Sequence, residues 1–143
     1  MKRISGPGIL ALFALTTFLF ALPQQHPSIS PEAKETTAKQ LHSMLGHNGK
    51  VMVIDVRTPE EYASGHIPEA VNIPINELAG KLRKMHVSKD TTIVTMCDHG
   101  GRSSRAALEL QQMGYKTTSF CRIDSWQKDG YKIKKGEAKP RSE

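Results

Sequence analysis

Cysteine is scarce in this chain: Cys97 and Cys121 are the only two among 143 residues. Two cysteines make at most one bridge, which excludes the disulfide-dense frameworks of small secreted folds. Aromatic residues are few, at 6% with a single tryptophan. None is interleaved with the basic residues, and no nucleic-acid-binding motif occurs, so a nucleic-acid partner is not expected. Long apolar runs are also missing. The run Ile9 to Leu22 holds 14 residues, short of the ~20 that span a bilayer. There is no internal repeat and no low-complexity tract, and the length suits one domain with a real core.

What is present begins with charge. The formal net charge is +6, and Lys2 and Arg3 supply two of those six. A basic start followed by an uncharged apolar run reads as a secretory signal peptide or an uncleaved N-terminal anchor over residues 1–22. Only the uncleaved form would bring a membrane contact. Both forms predict an exported domain, periplasmic or at the cell surface in a bacterium, where thiols meet oxidising conditions. Residues 23–40 read as a linker and the start of a first helix, with Ser30, Pro31 and Glu32 supplying a hydroxyl cap, a first-turn proline and an acid. That helix is expected to reach about Leu45 and to end at the glycines of "GHNG". Residues 41–136 form the folded domain, and 137–143 continue a basic tail that reads as solvated.

Within the domain, "VMVID" (Val51 to Asp55) and "TTIVTMC" (Thr91 to Cys97) are apolar runs without alternation, the pattern of strands covered on both faces. Thr58, Pro59 and Glu61 open a short helix with a capping box. "AVNIP" reads as a short strand and Asn76 to Met85 as a helix. Ser103 to Met113 carries Ala106, Leu110 and Met113 at helical spacing before Gly114. "KTTSFC" is a further strand, and Trp126 begins a last helical piece. Strands alternating with helices predict an α/β fold around a mostly parallel sheet, with helices on both faces.

The stretch "TMCDHGGRSSR" concentrates the chemistry. Cys97 ends a central strand, the edge at which such sheets bind ligands, one short loop before a helix. The helix N-terminus, the backbone N–H groups freed by Gly100 and Gly101, and the guanidinium of Arg102 all favour thiolate over thiol. Ser103 could cap the helix and donate into the loop. Asp98 adds negative charge beside this site, and His99 sits inside the loop, facing either the sulfur or solvent. Asp55 and Arg57, two residues apart, share one side of the chain and read as a structural ion pair. His66 reads as a packed, hydrogen-bonded histidine. The bland alternative for Cys97, a small buried hydrophobe in a tight turn, explains neither the glycines nor the arginine beside it.

The segments Ile54 to Pro74 ("IDVRTPEEYASGHIPEAVNIP") and Cys97 to Tyr115 ("CDHGGRSSRAALELQQMGY") closely resemble the single-domain rhodanese family of thiosulfate and polysulfide sulfurtransferases. The resemblance covers about Leu41 to Lys135. It implies a rhodanese-like fold with a central five-stranded sheet and no cofactor or metal. It also implies covalent catalysis, with Cys97 taking a sulfane sulfur from thiosulfate or a persulfide or polysulfide donor. The Cys97 persulfide would pass that sulfur to cyanide, a thiol or a thiol-bearing protein, held meanwhile by the loop Asp98, His99, Gly100, Gly101, Arg102 and Ser103. Cysteine phosphatases of similar fold place five residues between cysteine and arginine; here there are four, a smaller ring that suits one sulfur atom. The chain departs from the family after its last strand, where Cys121 and Arg122 occupy the place of a Gly-Gly pair ahead of Trp126. That departure keeps two other readings open: a catalytically weak binding module, and a thiol-redox module in which Cys121 resolves Cys97.

Overall fold

A computed structural model describes residues 32–46 and 50–136. The expected signal or anchor segment (1–22), most of the linker, "HNG" and the tail (137–143) lie outside the described residues. The elements run α1 (Ala38–Gly46), β1 (Val51–Asp55), α2 (Pro59–Ser64), β2 (Val71–Asn72), a 3-10 turn (Ile75–Glu77), α3 (Leu78–Lys84), β3 (Thr92–Cys97), α4 (Gly101–Gln112), β4 (Thr117–Arg122) and α5 (Ile123–Lys128). The four strands are parallel, in the order β2-β1-β3-β4.

Among the described residues the sheet has these four strands, and one further parallel bridge extends it at an edge. Glu35 pairs with Phe120 on the outer edge of β4, where Thr36 N–H donates to the Phe120 carbonyl (2.8 Å) and Phe120 N–H to that of Lys34 (3.0 Å). Residues 34–36 were expected inside the linker and first helix, so this is a correction to the helix start. The cause is a second capping pair. Gln40 N–H donates to Thr37 Oγ1 (3.2 Å) while Thr37 N–H donates to Gln40 Oε1 (2.9 Å), which starts α1 at Ala38 and leaves 34–36 extended.

Successive side chains of each strand point to opposite faces, and each face carries its own core. Val53, Val94, Met96 and Cys121 pack with Ala38 and Leu41 of α1, Tyr62 of α2, and Ile123 and Trp126 of α5. Ile54, Ile93 and Cys97 pack with Leu78 and Leu82 of α3 and Ala106 and Leu110 of α4. Helices therefore cover both faces, as unalternated strands require. Register sets which strand ends meet: Asp55 lies beside Met96, and Cys97 beside Arg122. The carboxyl ends of β1, β3 and β4 thus share one edge of the sheet.

Candidate active site

The sulfur of Cys97 sits at the base of the loop joining β3 to α4, and the residue is only 2% exposed. Two backbone donors point at it, Gly100 N–H at 3.2 Å and Ser103 N–H at 3.3 Å. Ser103 Oγ stands 3.2 Å from the sulfur and 3.2 Å from the Gly100 carbonyl. As a thiol, Cys97 donates to Ser103 Oγ while the serine hydroxyl donates to the carbonyl. As a thiolate, Cys97 accepts that hydroxyl instead, a third donor gained when the negative charge forms.

Gly100 is where the loop needs a glycine. Its φ is 94°, a left-handed conformation that costs other residues. A Cβ there would also stand 3.1 Å from the Phe120 ring and 3.3 Å from the Arg122 stem. At Gly101 a Cβ would meet open space, so only one glycine of the pair is demanded by geometry. Gly100 also occupies the cap position of α4. Ser103, read from sequence as a possible cap, lies three residues inside, where its N–H and hydroxyl both serve the sulfur.

Arg102 does not hold a free cation over the sulfur. Both ends of its fork engage Glu61 (Nη1 to Oε2 2.7 Å, Nη2 to Oε1 2.7 Å), and Nη2 also reaches Asp98 Oδ2 at 2.9 Å. This pairing holds the Glu61 carboxyl down at about pKa 2 and raises the Arg102 guanidinium above its ordinary value, Glu61 being the main cause. Asp98 spans two arginines, since its Oδ1 accepts from Arg57 Nη1 at 2.9 Å. Arg57 in turn donates to Asp55 through Nη2 (2.7 Å) and Nε (3.0 Å), and to the Gly65 carbonyl (2.7 Å). Burial opposes the Arg57 charge, but the Asp55 bonds and the two carboxylates outweigh it and raise the pKa. Asp55 and Arg57 are 0% and 4% exposed, so the pair is a buried post that fixes one wall of the loop. His66 is buried, stacked 3.6 Å from the Tyr62 ring with Nδ1 2.8 Å from the Tyr62 carbonyl.

A second tie crosses the mouth. His99, 83% exposed, places Nδ1 3.1 Å from Asp124 Oδ2, which is the main cause of a lowered Asp124 pKa. Asp124 N–H also donates to the Asp98 carbonyl (3.3 Å). Arg122 packs its stem on Gly100 and brings Nε within 2.9 Å of Glu35 Oε1.

Cys121 is not brought to the sulfur. It lies opposite Met96 in the sheet and points into the α1/α5 core, whereas Cys97 faces the α3/α4 core. Burial pushes its thiol up to about pKa 11. The expected resolving role is therefore corrected: the two thiols face opposite sides of one sheet, an arrangement that side-chain rotation does not reverse. A cavity of about 380 Å³ opens between α1 and α5, lined by His42, Trp126, Tyr131 and others; no residue of the Cys97 loop lines it.

Sequence reasoning found the loop but missed Glu61 as its outer wall. Glu61 was legible as the third residue of α2, accepting from Thr58 N–H (2.8 Å). Nothing local ties it to Arg102, which is 41 residues away. Asp98 and Arg102 did carry a local signal, their i, i+4 spacing.

A cysteine at the end of a central parallel strand, cradled by the first turn of a helix, is the arrangement that cysteine-based group transfer calls for. Comparison narrows the class. The rhodanese-like domain family matches residues 37–128, and the chain belongs to that family. A curated sulfurtransferase from Allochromatium vinosum is 33% identical over 101 residues, covering 69% of this chain and 92% of its own. The crystal structure of a rhodanese-related protein from Thermoplasma volcanium superposes with a TM-score of 0.61 at 31% identity, covering 71% of this chain and 97% of that one. A thiosulfate sulfurtransferase from Pseudomonas aeruginosa shares the fold, with a TM-score of 0.69 at 19% identity over 74% of this chain and 21% of its own. The α/β rhodanese fold is thus established, and sulfurtransferase activity in general is supported.

Proposed function

We propose that the protein transfers a sulfane sulfur through a Cys97 persulfide. The observation that carries this is the convergence of Gly100 N–H, Ser103 N–H and Ser103 Oγ on one sulfur, at 3.2, 3.3 and 3.2 Å. Such a cradle stabilises negative charge on Cys97 before attack and on the outer sulfur afterwards. With thiosulfate, the Cys97 thiolate attacks the outer sulfur and the S–S bond breaks. Sulfite leaves with the bonding pair, and Cys97 keeps one extra sulfur. With an alkyl persulfide the leaving group is the alkyl thiolate. Cyanide or a thiol acceptor, free or on a protein, then takes the outer sulfur and regenerates the Cys97 thiolate. Splitting the transfer into two displacements is ordinary covalent catalysis. No step requires a cofactor.

The basic start and apolar run of residues 1–22 further support export, and fractionation of tagged cells tests that separately. The transfer itself is tested by mixing the protein with thiosulfate or cysteine persulfide and following intact mass. Wild type is expected to gain one sulfur atom and lose it to cyanide, while Cys97→Ser gains none. Absence of loading from every donor would return the protein to the reading of a binding module on the same fold.

A further inference from the structure

Glu61 accepts both ends of the Arg102 fork, and Asp98 is shared between Arg102 and Arg57. Continuing round the loop, Arg122 is flanked by Glu35 and Asp124. The ion-paired set around Cys97 thus holds five carboxylates (Glu35, Asp55, Glu61, Asp98, Asp124) against three guanidiniums (Arg57, Arg102, Arg122). The chain as a whole carries +6, so this rim runs against the charge of the molecule that bears it.

Thiosulfate, a dianion that presents a sulfonate group, is best received by a cation. The Nη1/Nη2 fork of Arg102 is already taken by Glu61, and the other Nη2 proton by Asp98, so the two parallel N–H bonds that a sulfonate would use are engaged. A competing anion must displace a carboxylate held at 2.7 Å on both oxygens, or approach a rim of net negative charge. A small persulfide, at most a monoanion through its acidic S–SH group, brings no sulfonate to compete for the Arg102 fork and meets a weaker repulsion than a dianion, because its reacting sulfur needs only the cradle. We infer that Glu61 is a specificity-determining residue, which masks Arg102 and sets the site toward persulfide donors of low net charge over dianionic thiosulfate. This rests on the Cys97 persulfide proposed above. The reaction it favours is balanced: the Cys97 thiolate attacks the outer sulfur of R–S–SH, the S–S bond breaks, R–S⁻ departs with the bonding pair, and Cys97 carries S–SH.

The test compares single-turnover loading of full-length protein by dianionic thiosulfate and by cysteine persulfide, whose amine and carboxylate cancel so that the ionised S–SH group leaves at most one negative charge. Glu61→Gln removes the charge yet keeps a side chain able to complete the α2 capping box, and a thermal melt checks that the fold survives. The thiosulfate rate constant is expected to rise about three- to tenfold in Glu61→Gln, as removal of one negative charge near a dianion should allow. The cysteine persulfide rate constant gains much less, so the ratio of the two shifts toward thiosulfate. The shift shrinks as salt is raised, a response that a purely structural role for Glu61 would not give. Loading of Cys97 by both donors with an unchanged ratio in Glu61→Gln overturns the specificity role while leaving the sulfur-transfer reading intact. Absence of loading in wild type overturns that reading instead. Should Glu61→Gln unfold, Asp98→Asn relieves the other carboxylate on Arg102, and the same ratio decides.

Discussion

Replacing Gly100 by alanine isolates what the loop backbone contributes. Two costs add at this position. Holding a non-glycine residue at φ 94° costs about 1–2 kcal/mol. The new Cβ then meets the Phe120 ring at 3.1 Å and the Arg122 stem at 3.3 Å. The flexible stem yields, whereas the ring is fixed by the sheet, so overpacking adds about 1 kcal/mol. A total of about 2–3 kcal/mol is a large part of the 5–15 kcal/mol that typically separates folded from unfolded domains. It should lower the melting temperature by roughly 10–20 °C.

The catalytic cost follows from the same geometry. Relaxing that strain rotates Gly100 N–H away from the sulfur that it meets at 3.2 Å, and loss of one such donor slows charge-developing steps by about 10- to 100-fold or more. Urea unfolding and single-turnover loading of Cys97 measure the two effects. Gly101→Ala is the control, because its Cβ enters open space in the first turn of α4, where alanine is tolerated or mildly stabilising. The double variant Gly100→Ala/Arg122→Ala should recover part of the packing cost and none of the φ cost. If Gly100→Ala stays within about 0.5 kcal/mol of wild type, or Gly101→Ala loses as much, the backbone argument is wrong.

Two further outcomes follow from the charges and thiols. Arg102 depresses the Glu61 pKa to about 2, so the pair's stabilisation is complete above the ordinary glutamate range and is lost as pH falls through about 4 toward 2. Glu61 is half-exposed, so screening limits that loss to about 1 kcal/mol; urea midpoints measured across this window should fall less steeply for Glu61→Gln than for wild type. With burial holding Cys121 near pKa 11, only about one thiol in a thousand is ionised at pH 8. Iodoacetamide should modify Cys121 only when urea unfolds the chain, and oxidant should not yield a Cys97–Cys121 bridge in the native protein; intact-mass detection of that bridge without unfolding would contradict the opposed faces.

The parts of the fold legible in the sequence were those written in local chemistry. Thr58, Pro59 and Glu61 open α2 as the capping box requires, and the unalternated runs ending at Asp55 and Cys97 are the two central strands, β1 and β3. The start of α1 was misread because two capping sets competed, Ser30-Pro31-Glu32 and Thr37 with Gln40. Pairing of residues 34–36 with β4 favours the second, and that is a tertiary contact. The side of the sheet taken by Cys121 depends on which residue of β3 it pairs with. A shift of one residue would turn it to the other face, and parallel register is set by packing that no local motif records.

The same limit explains why the site looked more electropositive in sequence than in space. Cys97, Gly100, Arg102 and Ser103 lie within seven residues and announce a cradle, while the carboxylate that engages Arg102 comes from α2, 41 positions upstream. Yet the buried pair that anchors the network, Asp55 and Arg57, was readable as a pair because two-residue spacing places both at one strand end. In the proposed reaction the cradle would serve the sulfur through two backbone N–H groups and the Ser103 hydroxyl, which carry no net charge and so would not distinguish one donor molecule from another. Selectivity would then fall to the side chains around it. There Glu61 and Asp98 turn a would-be anion clamp into a closed ion-pair network. On the proposed reading, reactivity and specificity would reside in different places, the first in the β3–α4 loop and the second in a carboxylate reaching over it from α2, so that Glu61→Gln should change the second and spare the first.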